Sequence, residues 1–201
     1  MLESGAQGAQ IRDKDWYGDT IGPVAFLGCV FSDVDLTEVT TKNTRFEECT
    51  FHNCRFNAST HDTSSFVGCD FRRNSFFTAT FEGCKLTGSV FSECTMRPMR
   101  VVGGQWRSVT LRGHNLSGLV LRGVDLRESD LSMSDLTDTD LRDAKLDGCL
   151  VRRSDLSRAD LRRASLDRVD LSSATLKDTK IDLQTAVMLA ELNGAVVDLA
   201  E

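Results

Sequence analysis

Apolar side chains recur at every fifth position along most of the chain, and this period constrains the fold more than any other feature. Of the 32 positions in this frame from Phe26 to Ile181, 30 are apolar. A composition with 40% hydrophobic residues would give only about 13. Ten of the positions are Phe, fifteen are Leu, and only Thr41 and His61 are polar. The frame does not slip anywhere in this segment.

A second frame of small residues lies two positions before the first. Between residues 24 and 179, 28 of its 32 positions are Cys, Ser, Ala, Thr, Val or Gly, and the exceptions are Asn74, Met99, His114 and Leu119. A period of five fits neither an α-helix nor a β-strand, whose side chains repeat every 3.6 and 2.0 residues. The pattern instead predicts a coil that turns a corner every five residues and points one large and one small side chain inward on each side.

Four sides close a core that is just wide enough for four large side chains, so we expect a square coil made of four such units. Coils of this kind stack at about 4.8 Å, which gives about eight coils and a rod of roughly 40 Å. The predicted fold is therefore an all-β solenoid with a short C-terminal α-helix. Because each coil contacts only its neighbours, both ends of the stack need a cover.

The frame divides the chain into three predicted segments: 1–20 as an N-terminal tail or cap, 21–183 as the solenoid, and 184–201 as a C-terminal helix and dimerisation segment. The helix is expected over residues 184–193, with Gly194 as its stop. Its apolar residues are too many for a short surface helix, so it either caps the last coil or forms a two-fold interface. The candidate interface residues are Leu183, Val187, Leu189, Leu192, Val196, Val197 and Leu199.

Several units, such as 124–126, 129–131 and 159–161, read as a small residue, then Asp, then Leu. This pattern resembles the pentapeptide-repeat family over about residues 24–183, and the resemblance implies a right-handed quadrilateral β-helix. The strings at 88–91 (GSVF), 116–119 (LSGL) and 181–187 (IDLQTAV) are similar to the MfpA and Qnr group within that family. That resemblance implies a DNA-mimicking homodimer, joined through its C-terminus, that binds DNA gyrase, inhibits supercoiling and protects against fluoroquinolones.

Two other functions remain open for a chain of this family. One is an immunity protein that protects gyrase from a specific toxin. The other is a pentapeptide-repeat scaffold whose partner is not a topoisomerase. The frame itself is specific for the fold and does not choose among the three.

The charge balance argues against direct, charge-driven binding of nucleic acid. The chain has 24 Lys and Arg against 30 Asp and Glu, a net charge of −6, whereas such binders are normally basic. No apolar run approaches the roughly 20 residues of a membrane span. The N-terminal string MLESGAQGAQIRDKD contains no apolar stretch of the kind that secretory signals use, so we expect a cytoplasmic protein without a membrane partner.

Carboxylates are the candidate partner-binding groups. The candidates are Asp125, Asp130, Asp135, Asp138, Asp140, Asp143, Asp155 and Asp160, predicted to form an acidic face. Stacking of every fourth unit places Asp135 beside Asp155 and Asp140 beside Asp160, and such like-charge neighbours are unfavourable unless something satisfies them. Either they bond backbone N–H groups at the corners, as turn Asp residues do, or they face a basic groove of the partner.

No motif predicts catalysis, a metal or a cofactor. All seven Cys lie in the small-residue frame, where a free thiol is a good core group, and no spacing suits zinc. His61 and His114 are predicted to point inward and His52 outward, so they share no site. We therefore expect a binding protein rather than an enzyme.

Overall fold

A computed structural model gives the structure of the protein and describes residues 4–198. Within these residues the chain forms very short strands followed by one C-terminal helix, α1 (Leu183–Leu192). The strands are β1 (Ala6–Gln7), β2 (Gln10–Arg12), β3 (Thr20–Ile21), β4 (Ala25–Leu27), β5 (Val30–Ser32), β6 (Thr40–Lys42), β7 (Arg45–Glu47), β8 (Thr50–His52), β9 (Thr60–Asp62), β10 (Ser65–Val67), β11 (Asp70–Arg72), β12 (Thr80–Glu82), β13 (Val90–Ser92) and β14 (Arg100–Val102).

The strands stack in parallel ladders whose partners are four units apart in the sequence, for example Phe26 beside Phe46. We call the four sides walls. Wall 1 holds β1-β4-β7-β10, wall 2 holds β2-β5-β8-β11-β13, and wall 4 holds β3-β6-β9-β12-β14. Wall 3 is a ladder of single-residue bridges that starts at Asp15–Asp35 and ends at Asp155–Thr175. These four ladders confirm the all-β solenoid with a square coil of four units.

The large inward frame forms the core of the rod. Leu126, Leu131, Leu136 and Leu141 come from the four walls of one coil, and each is fully buried. Burying such side chains stabilises each by about 1.5–3 kcal/mol. The core is continuous from the first described coil to the last.

The small inward frame contributes hydrogen bonds as well as packing. Its hydroxyl and thiol groups donate to the carbonyl oxygen of a large residue of the preceding coil. Examples are Ser89 Oγ to Phe66 O at 2.6 Å and Cys49 Sγ to Phe26 O at 3.2 Å. All seven cysteines are free, and burial raises the pKa of the Cys84 thiol to about 12, which keeps this thiol protonated as a hydrogen-bond donor.

Most corners depend on a left-handed backbone conformation at the second residue after the large residue. Glycine adopts it freely, as at Gly123 with φ of 68°, but Asp138 and Arg158 also take it, with φ of 57° and 60°. Pro23 and Pro98 occupy the same corner position although proline cannot take a positive φ, and the Arg97–Pro98 peptide bond is cis.

The N-terminal segment differs from the sequence expectation. Residues 1–20 were expected to be a tail or cap, but β1, β2 and β3 pair in register with β4, β5 and β6 and form another coil. Ile11, Trp16 and Ile21 continue the large frame and are buried at 2%, 7% and 0% exposure. The solenoid therefore starts near Ala6 rather than at residue 21.

Candidate functional site

The eight candidate carboxylates do not share one face of the rod. Asp125 lies on wall 1, Asp130 on wall 2, Asp135, Asp138 and Asp155 on wall 3, and Asp140, Asp143 and Asp160 on wall 4. The single acidic face expected from the sequence is therefore absent. The two predicted pairs of neighbouring aspartates are confirmed, since Asp135 forms a β-bridge with Asp155 and Asp140 forms one with Asp160.

Three of the carboxylates are clamped by the arginine two residues later in the same unit. Each accepts two side-chain hydrogen bonds of 2.6 to 2.9 Å from one guanidinium. The neighbouring guanidinium lowers the pKa of each carboxyl below its usual value. The pairs are Asp125 with Arg127, Asp140 with Arg142, and Asp160 with Arg162.

Two more carboxylates are neutralised by arginines of neighbouring coils. Arg158 donates to both oxygens of Asp138 at 2.7 Å. Arg163 donates to Asp143 at 2.6 and 2.9 Å, and Arg122 reaches the same carboxylate at 3.0 Å. The guanidinium of Arg163 lowers the pKa of Asp143 to about 2, with a smaller contribution from Arg122. These five aspartates are thus already paired within the rod.

The remaining three carboxylates accept hydrogen bonds from their own corners. Asp130 accepts from the Ser132 N–H at 2.9 Å, and Arg112 approaches it only to 3.8 Å. Asp135 accepts from the N–H and hydroxyl of Thr137 at 3.0 and 2.7 Å.

Asp155 accepts from the Ser157 N–H at 2.9 Å. Asp135 and Asp155 form no ion pair with any residue from 4 to 198, although they are adjacent on wall 3. They are therefore the candidate carboxylates that are held in place without losing their charge to an arginine.

The net charge of the rod is small and is confined to one wall. Four of the six net negative charges belong to Glu3, Glu191, Asp198 and Glu201, which leaves −2 for residues 4–183. Acidic and basic residues are equal in number on walls 1, 2 and 4. The excess lies on wall 3, where seven acidic residues outnumber five basic ones. The acidic residues are Asp15, Asp35, Glu38, Asp135, Asp138, Asp155 and Asp178, and the basic residues are Lys14, Arg55, Arg97, Arg158 and Lys177.

The C-terminal helix begins one residue earlier than predicted and lies over the last coil. Its N-cap, Asp182, accepts from the Thr185 N–H at 3.0 Å and from the Arg163 N–H at 2.7 Å, which ties the helix to wall 4. A groove of about 750 Å³ remains between the helix and the last coil, bordered by Leu166, Met188 and other residues.

The predicted interface residues fall into two groups. Leu183, Leu192 and Val196 are 73%, 48% and 96% exposed, so the end of the rod presents apolar surface. Val187, Leu189 and Val197 are partly buried, and Leu189 packs against the core of its own chain. Leu199, the seventh predicted residue, lies outside the described residues.

The histidines are buried as neutral groups or lie at the surface. His61 is 1% exposed, its Nδ1 lies 2.8 Å from Thr41 Oγ1, and its Nε2 lies 2.9 Å from Ser59 Oγ. Burial lowers the pKa of His61 to about 3. Among residues 4–198, no group of three His, Cys, Asp or Glu residues could hold a metal ion. No helix in the same part of the chain is long and apolar enough to cross a membrane.

The stacked five-residue units define a class of protein, the parallel β-solenoids built from short repeats. The family described as pentapeptide repeats matches eight copies in residues 64–96, 107–143 and 139–178, which is more than half of the sequence. The chain belongs to the pentapeptide-repeat family. No curated protein matches it significantly.

One solved structure supports the same fold, and a second aligns less closely. HetL, a pentapeptide-repeat protein involved in heterocyst differentiation regulation in the cyanobacterium Nostoc, aligns with a TM-score of 0.51 and 17% identity over 89% of this chain and 87% of its own. QnrB1, a plasmid-mediated fluoroquinolone resistance protein, aligns with a TM-score of 0.46 and 20% identity over 98% of both chains. At 17% identity the similarity to HetL concerns the fold alone.

Proposed function

We propose that this protein is a non-catalytic binding protein that occupies a DNA-binding surface of bacterial DNA gyrase, a type II topoisomerase, in the cytoplasm. By competing with DNA it inhibits supercoiling and lowers susceptibility to fluoroquinolones. The resemblance of residues 88–91, 116–119 and 181–187 to the MfpA and Qnr group supports this proposal. The observation that carries it is the charge pattern of wall 3.

Wall 3 suits a basic partner because its free carboxylates are already ordered. Corner hydrogen bonds hold Asp135 and Asp155, so a lysine or arginine of the partner can pair with them without first fixing their rotamers. Complementary charges of this kind raise association rates and fix the register of a complex. We therefore assign wall 3, rather than all eight aspartates, as the contact surface.

The small net charge limits how far the rod copies the charge of DNA. Duplex DNA carries one charge per about 1.7 Å, whereas the described coils carry a net charge of only −2 over roughly 40 Å. Competition with DNA must therefore depend on the shape of the rod and on a few charges of wall 3. The rest of the surface contributes neutral Asp–Arg pairs.

Dimerisation through the C-terminus belongs to the same proposal. Leu183, Leu192 and Val196 form an exposed apolar end, and a two-fold partner would cover it. Two rods joined end to end would span roughly 80 Å, close to the length of about 23 base pairs. Substituting Leu192→Asp or Val196→Asp should give monomers in light scattering. Scattering that still reports the dimer for both variants would exclude this interface.

Inhibition of supercoiling by purified gyrase tests the main proposal. The wild-type protein should inhibit at micromolar dimer concentration, and the double substitution Asp135→Asn/Asp155→Asn should weaken inhibition at least about tenfold, since it removes two adjacent unpaired charges of wall 3. The matched control is Asp140→Asn/Asp160→Asn, which removes two charges that are already paired and should change inhibition less. A wild-type protein that neither inhibits gyrase nor protects it from fluoroquinolones would refute the proposal.

A scaffold with a partner other than a topoisomerase is the second candidate, and the neutral walls favour it. Three of the four walls carry equal numbers of acidic and basic residues. Walls 1 and 4 hold four bidentate Asp–Arg pairs, Asp125–Arg127, Asp140–Arg142, Asp160–Arg162 and Asp143–Arg163. Such a surface suits a protein partner of mixed charge better than a uniformly basic groove. Affinity capture that yields a specific partner and no gyrase would support this candidate over the first.

A further inference from the structure

The hydrogen-bonded ladder is interrupted on two neighbouring walls in the middle of the rod. On wall 3, Thr95 pairs with Ser75 on one side but forms no bridge with Asn115 on the other. On wall 4, Arg100 pairs with Thr80 through β14 and β12 but forms no bridge with Val120. All of these residues are described, so the interruption separates 94–103 from 114–123 on these walls.

The interruption leaves backbone groups without the partners that they have in other coils. By the pattern of the neighbouring coils, five N–H groups should bond across this boundary and do not: those of Met96, Val101, Gly103, Asn115 and Val120. Walls 1 and 2 of the same coils keep their ladders, with Leu86 N–H donating to Gln105 O at 2.8 Å and Phe91 N–H to Thr110 O at 2.9 Å. The two coils are therefore joined on two walls and separated on the other two.

The residues at the interruption explain why it lies there. Met99, His114 and Leu119 are three of the four oversized residues in the small inward frame, and all three lie in the separated segments. Closely packed interiors do not accept such extra volume without moving the backbone. Pro98 adds to this effect because it has no N–H with which to make the corner bond to the next coil.

His114 shows how the separation is bridged. Elsewhere a serine hydroxyl of the next coil accepts from the N–H of a small inward residue, as Ser89 Oγ accepts from Cys69 N–H at 2.9 Å. At the interruption the longer imidazole takes this place, and His114 Nε2 accepts from Cys94 N–H at 3.3 Å. A side chain of this length spans a wider space than a serine does.

The space between the two separated coils is open to solvent. A cleft of about 480 Å³ lies between residues 91–94 of one coil and residues 110–115 of the next. On wall 4, Val102 and Val120 are 36% and 56% exposed on the two sides of the interruption. The space between the coils is therefore not filled by other parts of the described chain.

We propose that residues 94–123 form a hinge that divides the rod into two stiff segments. A β-solenoid resists bending because its ladders join successive coils. At all other coils of the described rod at least three walls are joined, including the coil where wall 2 lacks a bridge between Leu150 and Asp170. With walls 3 and 4 unjoined, the two segments can pivot about the intact ladders of walls 1 and 2, which opens and closes the cleft. This property of the rod does not depend on the identity of its partner.

Amide hydrogen exchange of the full-length protein tests the unjoined ladder directly. The amides of Met96, Val101, Asn115 and Val120 should exchange at least about 100-fold faster than those of Leu86 and Phe91, which lie in the same coils on the intact walls. Equal protection on all four walls would overturn the hinge.

Distances between pairs of spin labels test the motion. Labels at Thr40→Cys and Val120→Cys cross the hinge on wall 4, and labels at Val30→Cys and Thr110→Cys are equally far apart in the sequence on wall 2. A Cys94→Ser background removes the one native cysteine that is not fully buried. The wall 4 pair should give a distance distribution roughly twice as broad as the wall 2 pair, because wall 2 is the pivot. Equally narrow distributions would contradict the proposal.

A repaired coil provides the matched comparison. The double substitution His114→Ser/Leu119→Ala restores two small inward residues and should slow exchange at Asn115 and Val120 at least about tenfold. The control, Asn74→Ser, alters the fourth oversized residue, where the ladder is intact, and should leave exchange at the hinge unchanged. If the repaired variant does not fold, the wild-type exchange and label distances still decide the outcome.

Discussion

The two halves of the rod follow one frame but fill it with different side chains. Strands of two or three residues run up to Val67 on wall 1, Ser92 on wall 2 and Val102 on wall 4, and the core up to Val102 is mostly phenylalanine. Beyond Val102 the described walls contain only single-residue bridges, and the core is mostly leucine. The period of five therefore fixes the square path of the chain, and the residues that fill it decide the local geometry of each wall.

The phenylalanine half gains an interaction that leucine cannot supply. Stacked rings in one column lie 4.6 to 5.1 Å apart, as in Phe31–Phe51 at 4.6 Å and Phe26–Phe46 at 5.1 Å. This distance is close to the spacing of about 4.8 Å between neighbouring strands. The stacked rings and the hydrogen-bonded ladder therefore favour the same separation between coils.

Truncating one core residue in each half should show the largest effects. Phe71→Ala should lower the free energy of unfolding by about 3–5 kcal/mol, and Leu131→Ala on the same wall by about 2–4 kcal/mol. We expect Phe71→Ala to cost about 1 kcal/mol more because Phe71 stacks on both Phe51 and Phe91. Guanidinium denaturation followed by circular dichroism measures both losses, and equal losses would show that ring stacking adds nothing beyond burial.

A buried histidine should make the phenylalanine half sensitive to pH. The folded pKa of His61 is about 3 and its ordinary value is 6.5, so below pH 6.5 the unfolded chain binds a proton that the folded chain does not. Stability should therefore fall with decreasing pH by about 1.4 kcal/mol per unit from this group.

The substitution His61→Phe should remove most of that slope between pH 6.5 and 4.5. The acidic groups with strongly lowered pKa values, Asp35 and Asp143 at about 2, lose their contribution only as the pH falls from about 3.8 to 2. They therefore do not interfere in the measured range. If the free energy of unfolding of wild type and of His61→Phe changes equally with pH, the assignment of this pH dependence to His61 is wrong.

The sequence predicted the features that follow from the period and missed those that depend on individual side chains. The square coil and the bridge between Asp135 and Asp155 follow from four five-residue units in each coil. The first coil was missed because the frame was not extended back from Phe26, although Ile21 and Trp16 continue it.

Neutralisation of the aspartates was missed for a different reason. The Asp-Leu-Arg string at 125–127 contains both partners of an ion pair, but only the corner geometry brings Arg127 back onto Asp125. The ladder interruption was missed for a similar reason. His114 and Leu119 were visible as exceptions in the small frame, but their effect on the backbone depends on how neighbouring coils pack.

Substitutions in the small inward frame should show how much hydroxyl and thiol donors each contribute to stability. Ser134 Oγ donates to Leu111 O at 2.8 Å, so Ser134→Ala should cost about 1 kcal/mol by leaving that carbonyl with one partner fewer. Cys69 Sγ makes the equivalent bond to Phe46 O at 3.4 Å. Cys69→Ser should change stability by less than about 0.5 kcal/mol, because the hydroxyl is a stronger donor in a smaller side chain. Denaturation under reducing conditions measures both changes, and a large loss for Cys69→Ser would show that the volume of sulfur matters more than its hydrogen bond.

The corners are the part of the repeat that the two halves share, and glycine substitutions should show this with the smallest effects. Gly28 and Gly123 both have positive φ, 57° and 68°, and an added Cβ would meet no atom within 4 Å at either position. Gly28→Ala and Gly123→Ala should therefore each cost about 1 kcal/mol, because alanine is strained in the left-handed backbone conformation. Equal losses in thermal or denaturant unfolding would show that the corner is independent of the core beside it. A clearly larger loss at Gly28 would mean that the strands of the phenylalanine half restrain the corner. In that case the stability of a corner would depend on the side chains that fill the core beside it.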